Sequence, residues 1–228
     1  MRADVTIGAL NACALGIALM ANWIFGRRIK PISGAHPTPL TPPALAFSIW
    51  GLLYALLIAV CVAQFYDPSI VRHLSGWFAL SCAGTIAWLM AYTRTYLKSA
   101  TIILVLTTAS IGLCYGRVQV RSTWQDAAWS RVIASVTFSL YFGWTLVATA
   151  LNTLQASHLQ GRVGHTTLQI AGYTMLYAVV AGLAFSRKDP CIVLPLGWAA
   201  LWRGVWMREA LPIVAGTIST LSSIAVVV

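Results

Sequence analysis

Between Arg131 and Gln155 the chain reads RVIASVTFSLYFGWTLVATALNTLQ, and from Val132 to Leu151 no side chain is charged. At about 1.5 Å of rise per residue this run is as long as the roughly 30 Å hydrocarbon core of a bilayer, so it predicts a transmembrane helix. Within it Tyr141, Trp144, Ala148 and Asn152 recur at i, i+3, i+7 and i+11. They share one stripe, whereas Val136, Leu140, Val147 and Leu154 lie on other faces. An amide in hydrocarbon is costly without partners, so the Asn152 face is predicted to meet protein.

The rest of the chain agrees with a lipid solvent. Of 228 residues, 59% are hydrophobic and 9% charged, against about a quarter charged in soluble domains. Mean hydropathy is +0.78. The net charge of +10 comes from fifteen Lys and Arg scattered singly and in pairs. They form no basic stripe of the kind nucleic acid requires, and lipid headgroups are their expected counter-ions. Cys13, Cys61, Cys82, Cys114 and Cys191 lie in or beside apolar runs without C-x-x-C spacing, which reads as small buried side chains rather than a zinc site.

Eight spans are predicted, at 5–25, 47–66, 77–96, 98–116, 132–154, 167–186, 190–207 and 211–228. The fold class is therefore all-α, a polytopic membrane bundle. The first run is longer than a signal-peptide core and follows a weak basic region, so it is expected to be a retained helix. Gly8, Ala12 and Gly16, like Gly112 and Gly116, have the four-residue spacing of close helix packing. Lys and Arg divide almost evenly between the two faces, which leaves orientation open.

Residues 26–46 hold five of the nine prolines and the cluster Arg27, Arg28 and Lys30, predicting a non-helical cap on the membrane face. The second span places Phe47, Trp50 and Tyr54 on one stripe, and the third does the same with Ser81, Thr85, Trp88 and Tyr92. Residues 116–131 read as an amphipathic interfacial segment. In the seventh span Trp198, Trp202 and Trp206 form a rib expected to face lipid or a partner, Pro195 is expected to kink the helix, and Arg203 to snorkel to the interface. All four histidines fall in predicted loops, and His36, His158 and His165 share the face of the basic cluster, where a haem or metal role competes with a solvated surface.

The run Tyr141-Phe-Gly-Trp144-Thr-Leu-Val-Ala148-Thr149-Ala150-Leu151-Asn152 resembles the fifth-helix signature Y-x-x-W-x-x-x-A-T-x-L-N of the tryptophan-rich sensory proteins, the TspO/MBR or translocator-protein family. Pro42-Pro43, followed by Phe47-Ser-Ile-Trp50-Gly51-Leu-Leu-Tyr54, resembles that family's paired prolines and W-[GT]-x-x-Y motif. Its third-helix N-x-x-W is matched by Thr85-Ile-Ala-Trp88, with a hydroxyl in place of the amide, and Ala44 and Leu45 stand where a tryptophan is usual. The resemblance covers residues 5 to about 155. It implies a five-helix core over 1–155, three additional spans over 156–228, and a pocket beneath the first loop that takes porphyrins, sterols or similar flat apolar molecules. A dimer is common in that family, and no agreed enzymatic activity comes with it.

By that resemblance the expected ligand-binding residues are Trp50, Tyr54, Thr85, Trp88, Tyr141, Trp144, Ala148 and Asn152. Pro42 and Pro43 would cap the guest, while Arg27, Arg28 and Lys30 would meet anionic groups such as porphyrin propionates. The competing expectation is a structural accessory subunit of a large respiratory or photosynthetic membrane complex. An ion-coupled transporter is disfavoured, since Asp4, Asp67, Asp126, Asp189 and Glu209 fall outside the spans or at their ends. No metal site and no catalytic group is indicated. Which membrane holds the chain, bacterial inner or organellar, is left open.

Overall fold

The computed structural model describes residues 2–118, 128–157, 165–208, 212, 217 and 218. It is all-helical: α1 (Arg2–Phe25), α2 (Ile29–Ala35), α3 (Ile49–Tyr66), α4 (Pro68–Tyr92), α5 (Leu97–Val118), α6 (Trp129–Ser157), α7 (His165–Arg187) and α8 (Leu194–Met207), with no strand among the described residues. Among the described residues, six segments are long and apolar enough to cross a membrane: 4–35, 44–66, 68–92, 97–118, 129–157 and 166–187. The chain is an integral, multi-pass membrane protein.

Two of the eight predicted spans are not among these six. The run 190–207 starts with a 3-10 turn, Pro190–Val193, and continues as α8, whose 14 residues reach about 21 Å at about 1.5 Å each, short of a roughly 30 Å core. Pro195 lies in the first turn of α8, where its missing N–H has no helical acceptor to lose, so it starts the helix rather than kinking it. The run 211–228 falls outside the described residues apart from 212, 217 and 218. Residues 119–127, most of the predicted interfacial segment, fall outside them as well.

The uncharged helix α6 stands at the centre, touching α3, α4, α5, α7 and α8. Of its most apolar window 56% is buried, against 28% for α1. Its core contacts are aromatic: Phe138 meets Phe78 of α4 edge-on, and Trp144 meets Phe47 and Trp50. Gly143 lets the 3-10 turn before α8 come so close that a Cβ there would collide with the backbone carbonyl of Ile192. The Gly8 position packs near Gln64, Phe65 and Val71 as its spacing suggests, but Gly16 is exposed with open space beside it. Spacing of small residues marks a possible contact, and only the neighbour's position makes it one.

At the end of the bundle where α3 turns into α4, Asp67 caps α4. Its Oδ1 accepts from Ser69 N (3.0 Å) and Ser69 Oγ (2.6 Å), its Oδ2 accepts from Ser130 Oγ (3.0 Å), and Arg131 Nε lies at 3.9 Å. This cap starts α4 nine residues before the predicted span and ties it to the start of α6. The longer helix bends at Ser75, whose φ of 48° leaves the helical region.

Candidate functional site

At the opposite end, α1 does not stop where the prolines begin. It runs through a 3-10 turn, Gly26–Arg28, into α2, so the first part of the stretch predicted to be non-helical is helical. The reason is position: Pro31 sits in the first turn of α2, where no backbone N–H is required, and the other four prolines follow its end. What remains non-helical is residues 36–43, which lead into the 3-10 turn Ala44–Ser48 that opens α3.

Residues 36–46 form a lid held from outside. Gln155 Nε2 of α6 donates to His36 O (3.0 Å), Gln169 Nε2 of α7 to Pro39 O (3.2 Å), Arg203 Nη1 of α8 to Thr41 O (2.6 Å) and Thr38 O (3.4 Å), and Trp198 Nε1 of α8 to Ala46 O (2.8 Å). Four of these residues are prolines, which bring carbonyl acceptors without N–H donors, so the donors come from side chains on neighbouring helices. The Leu40 side chain is buried against Gly172 of α7, where an added Cβ would lie 2.6 Å from Leu40 Cδ1.

Beneath the lid is a cavity of about 700 Å³. The three predicted stripes converge on it: Phe47 from the 3-10 turn that opens α3 with Trp50 and Tyr54 from α3, Thr85, Trp88 and Tyr92 from α4, and Trp144, Ala148 and Asn152 from α6. Trp50 stacks on Tyr54 at 5.5 Å and meets Trp144 edge-on at 6.2 Å, so the rings brace one another. Trp88 Nε1 donates to Asn152 Oδ1 (3.1 Å), and Asn152 Nδ2 donates to Thr101 Oγ1 of α5 (3.1 Å). The amide thus faces the cavity and is satisfied by two other helices at once. Trp144 Nε1 and Tyr54 OH are buried without a hydrogen-bond partner, on residues that line the cavity.

The remaining expected site residues divide. Arg27, Lys30 and Pro42 line the cavity; Arg28 is exposed away from it and Pro43 is buried beside it without lining it. Tyr141 lies one turn deeper on α6, behind the floor, with its ring 6.3 Å from Trp50 and its hydroxyl 3.4 Å from Thr85 Oγ1. Asn22 and Trp23 of α1, Gln155, and Arg203 and Met207 of α8 line the cavity without having been expected there. Arg203 does not snorkel: it is 4% exposed and bonded to the lid. Trp198 is likewise tied to the lid, whereas Trp206 is exposed. Exposure of Trp23, Arg27 and Met207 places the mouth between the end of α1 and the end of α8.

Of the histidines, His36 bonds its own turn through Ile32 O (3.1 Å), and His73 lies within α4 rather than in a loop. His158 is outside the described residues and His165 opens α7. No three metal-ligating side chains cluster among the described residues.

Among the described residues, six apolar spans, four of which line a lidded, aromatic-walled cavity together with α8, define a polytopic helical membrane protein. A family model described as TSPO-like protein matches residues 5–228, so the chain belongs to the TSPO-like family, and the match runs beyond the first five predicted spans. Comparison with curated proteins and with solved structures gave no match.

Proposed function

We propose that this TSPO-like membrane protein binds a flat, mainly apolar molecule, of the tetrapyrrole or sterol kind, in the cavity beneath the lid, and that its role is sensory or translocator-like, with no bond made or broken. The observation that carries this reading is the convergence of three aromatic stripes from α3, α4 and α6 on one cavity of about 700 Å³. That volume is within the range of small-molecule sites, and indole and phenol walls suit a planar guest. Ala148 leaves room beside Trp144, and an acceptor on the guest would relieve the unpartnered donors of Trp144 and Tyr54.

The test is Ala148→Phe, which fills the cavity without removing a hydrogen bond, set beside Trp202→Ala, which removes a ring outside it. Quenching of intrinsic fluorescence by a metal-free porphyrin should weaken by about tenfold or more in the first variant and stay unchanged in the second. Unchanged affinity in Ala148→Phe would remove the cavity as the binding site.

A second reading, a packing subunit of a larger membrane complex, draws on the Asn152 amide, which already has partners on α4 and α5. In that reading the stripes serve assembly, and the cavity is a by-product of the lid.

A further inference from the structure

We propose that the lid end of the bundle is a docking surface for acidic phospholipid, whose headgroup phosphate is met by Arg27, Arg28 and Lys30 together with Arg94 and Lys98. The proposal stands whether or not the cavity takes a guest, because it concerns the face around the mouth rather than the interior.

The first support is the balance of charge. Lys and Arg divide almost evenly between the two ends, but the carboxylates do not. Assigned by the helix ends they adjoin along the chain, seven Lys and Arg accompany Asp4, Asp67, Asp126 and Asp189 at the far end, and eight accompany Glu209 at the lid end. The formal balance is +3 against +7, the two parts of the chain's +10, with Glu209 already counted.

The second support is what the protein offers its own cations. At the far end Arg131 Nε lies 3.9 Å from Asp67 Oδ2, and the Arg117 guanidinium stands over the Trp77 ring at 5.8 Å. At the lid end Arg27, Arg28, Lys30, Arg94 and Lys98 are all exposed, and none of the five is in an ion pair with another described residue. Arg94 Nη1 donates to Met90 O (3.0 Å), which fixes the side chain without cancelling its charge, since a carbonyl is neutral.

The third support is placement. Gln155 donates through Nε2 to His36 O, just past α2, and accepts through Oε1 from Tyr92 OH at the end of α4 (3.1 Å). It ties α2, with Lys30 near its start, to the turn that carries Arg94 and leads to Lys98 in the first turn of α5, so the cations crown one end. Trp23, Ile24 and Tyr96 are exposed close to them along the chain, and aromatic side chains of this kind sit at the headgroup level. Each Lys or Arg within a Debye length of an acidic membrane surface favours it by a factor of about five. A zwitterionic headgroup brings its own cation with the phosphate and gains less. Arg27 and Lys30 also line the cavity, so a docked headgroup stands at its mouth.

The experiment is native mass spectrometry of the full chain in a neutral detergent, titrated with phosphatidylglycerol or with phosphatidylcholine of the same acyl chains. The unchanged protein should bind phosphatidylglycerol about fivefold or more tightly than phosphatidylcholine. That preference should shrink as ammonium acetate is raised from about 0.1 M to about 1 M, where the screening length falls from about 10 Å to about 3 Å. Arg27→Gln, Arg28→Gln and Lys30→Gln made together should remove most of it, and Arg72→Gln, Arg187→Gln and Lys188→Gln made together at the far end should leave it in place. Equal binding of the two lipids by the unchanged protein would overturn the proposal, as would equal loss in the two triple variants or a preference indifferent to salt. An adduct of glycerol phosphate, the headgroup without its chains, as tight as that of the lipid would assign the surface to a soluble anion and overturn it too. If the lid-end triple variant does not fold, Arg94→Gln with Lys98→Gln decides: a lowered preference supports the proposal and an unchanged one refutes it.

Discussion

Gly143→Ala tests the contact that brings α8 to the cavity. A Cβ at this position of α6 would collide with the backbone carbonyl of Ile192 and lie 3.2 Å from Pro195 Cγ. Neither obstacle is the free end of a flexible side chain, so the 3-10 turn must move as a unit. Overpacking of this kind costs about 1–3 kcal/mol, and replacing glycine by alanine inside a helix returns about 0.8–1.0 kcal/mol, which leaves a net loss of about 1 kcal/mol. For a chain of this size that corresponds to a fall of about 2–4 °C in the unfolding midpoint. Gly182→Ala in α7 is the control, because open space surrounds its Cβ and only the propensity gain applies. The assay is thermal unfolding in detergent with a thiol-reactive dye: Cys61, Cys82 and Cys114 are buried and report on unfolding, while exposed Cys13 sets the baseline. The two alanines should move the midpoint in opposite directions. A Gly143→Ala protein that melts at or above the unchanged one, in step with Gly182→Ala, would refute the claim that α8 is seated on α6 at this residue.

At the far end, burial alone would raise the Asp67 carboxyl, but hydrogen bonds from Ser69 and Ser130 and the Arg131 charge outweigh it and hold the group below its ordinary value. Its stabilising effect is therefore present above an unfolded value of about 3.9 and lost as pH falls through the lower folded one, so Asp67→Ala should melt below the unchanged protein at pH 7 by the equivalent of about 1 kcal/mol, and the gap should close on acidification. A gap that persists under strong acid would mean the carboxylate charge is not what matters. Asn152→Leu leaves the Trp88 indole N–H without its acceptor and removes the bond that Thr101 Oγ1 accepts, and should cost about 1 kcal/mol by thermal unfolding. Loss of porphyrin affinity well beyond that figure supports the binder, and full affinity with reduced stability supports the packing subunit.

The stripes were legible because side chains on a helix keep their faces at 3.6 residues per turn, and Trp144, Ala148 and Asn152 of α6 all reach the cavity. Depth was not legible. Tyr141 belongs to the same face, yet eleven residues from Asn152 is about 16 Å along the axis, which takes it below the floor made by Trp50 and Trp144. The run 190–207 was read as a span for a related reason: its hydropathy is high because α8 and its leading turn are buried in protein, with Ile192, Val193, Leu196 and Ala200 in the core. Hydropathy reports transfer out of water and does not distinguish lipid from protein as the destination.

Arg203 shows what single-helix reasoning omits. Near the end of an apolar run, snorkelling is the cheapest course for an arginine considered alone. The lid changes that accounting, because Pro37, Pro39, Pro42 and Pro43 leave its backbone rich in acceptors and poor in donors, and buried carbonyls without partners are costly. Gln155, Gln169, Trp198 and Arg203 supply the missing N–H groups from three different helices. At a net of about 0.5–1.5 kcal/mol for an ordinary hydrogen bond, these donors together hold the lid by a few kcal/mol. A proline-rich cap and donor-bearing helices placed far along the chain are thus one device: the cap's composition creates the need, and α7 and α8 meet it.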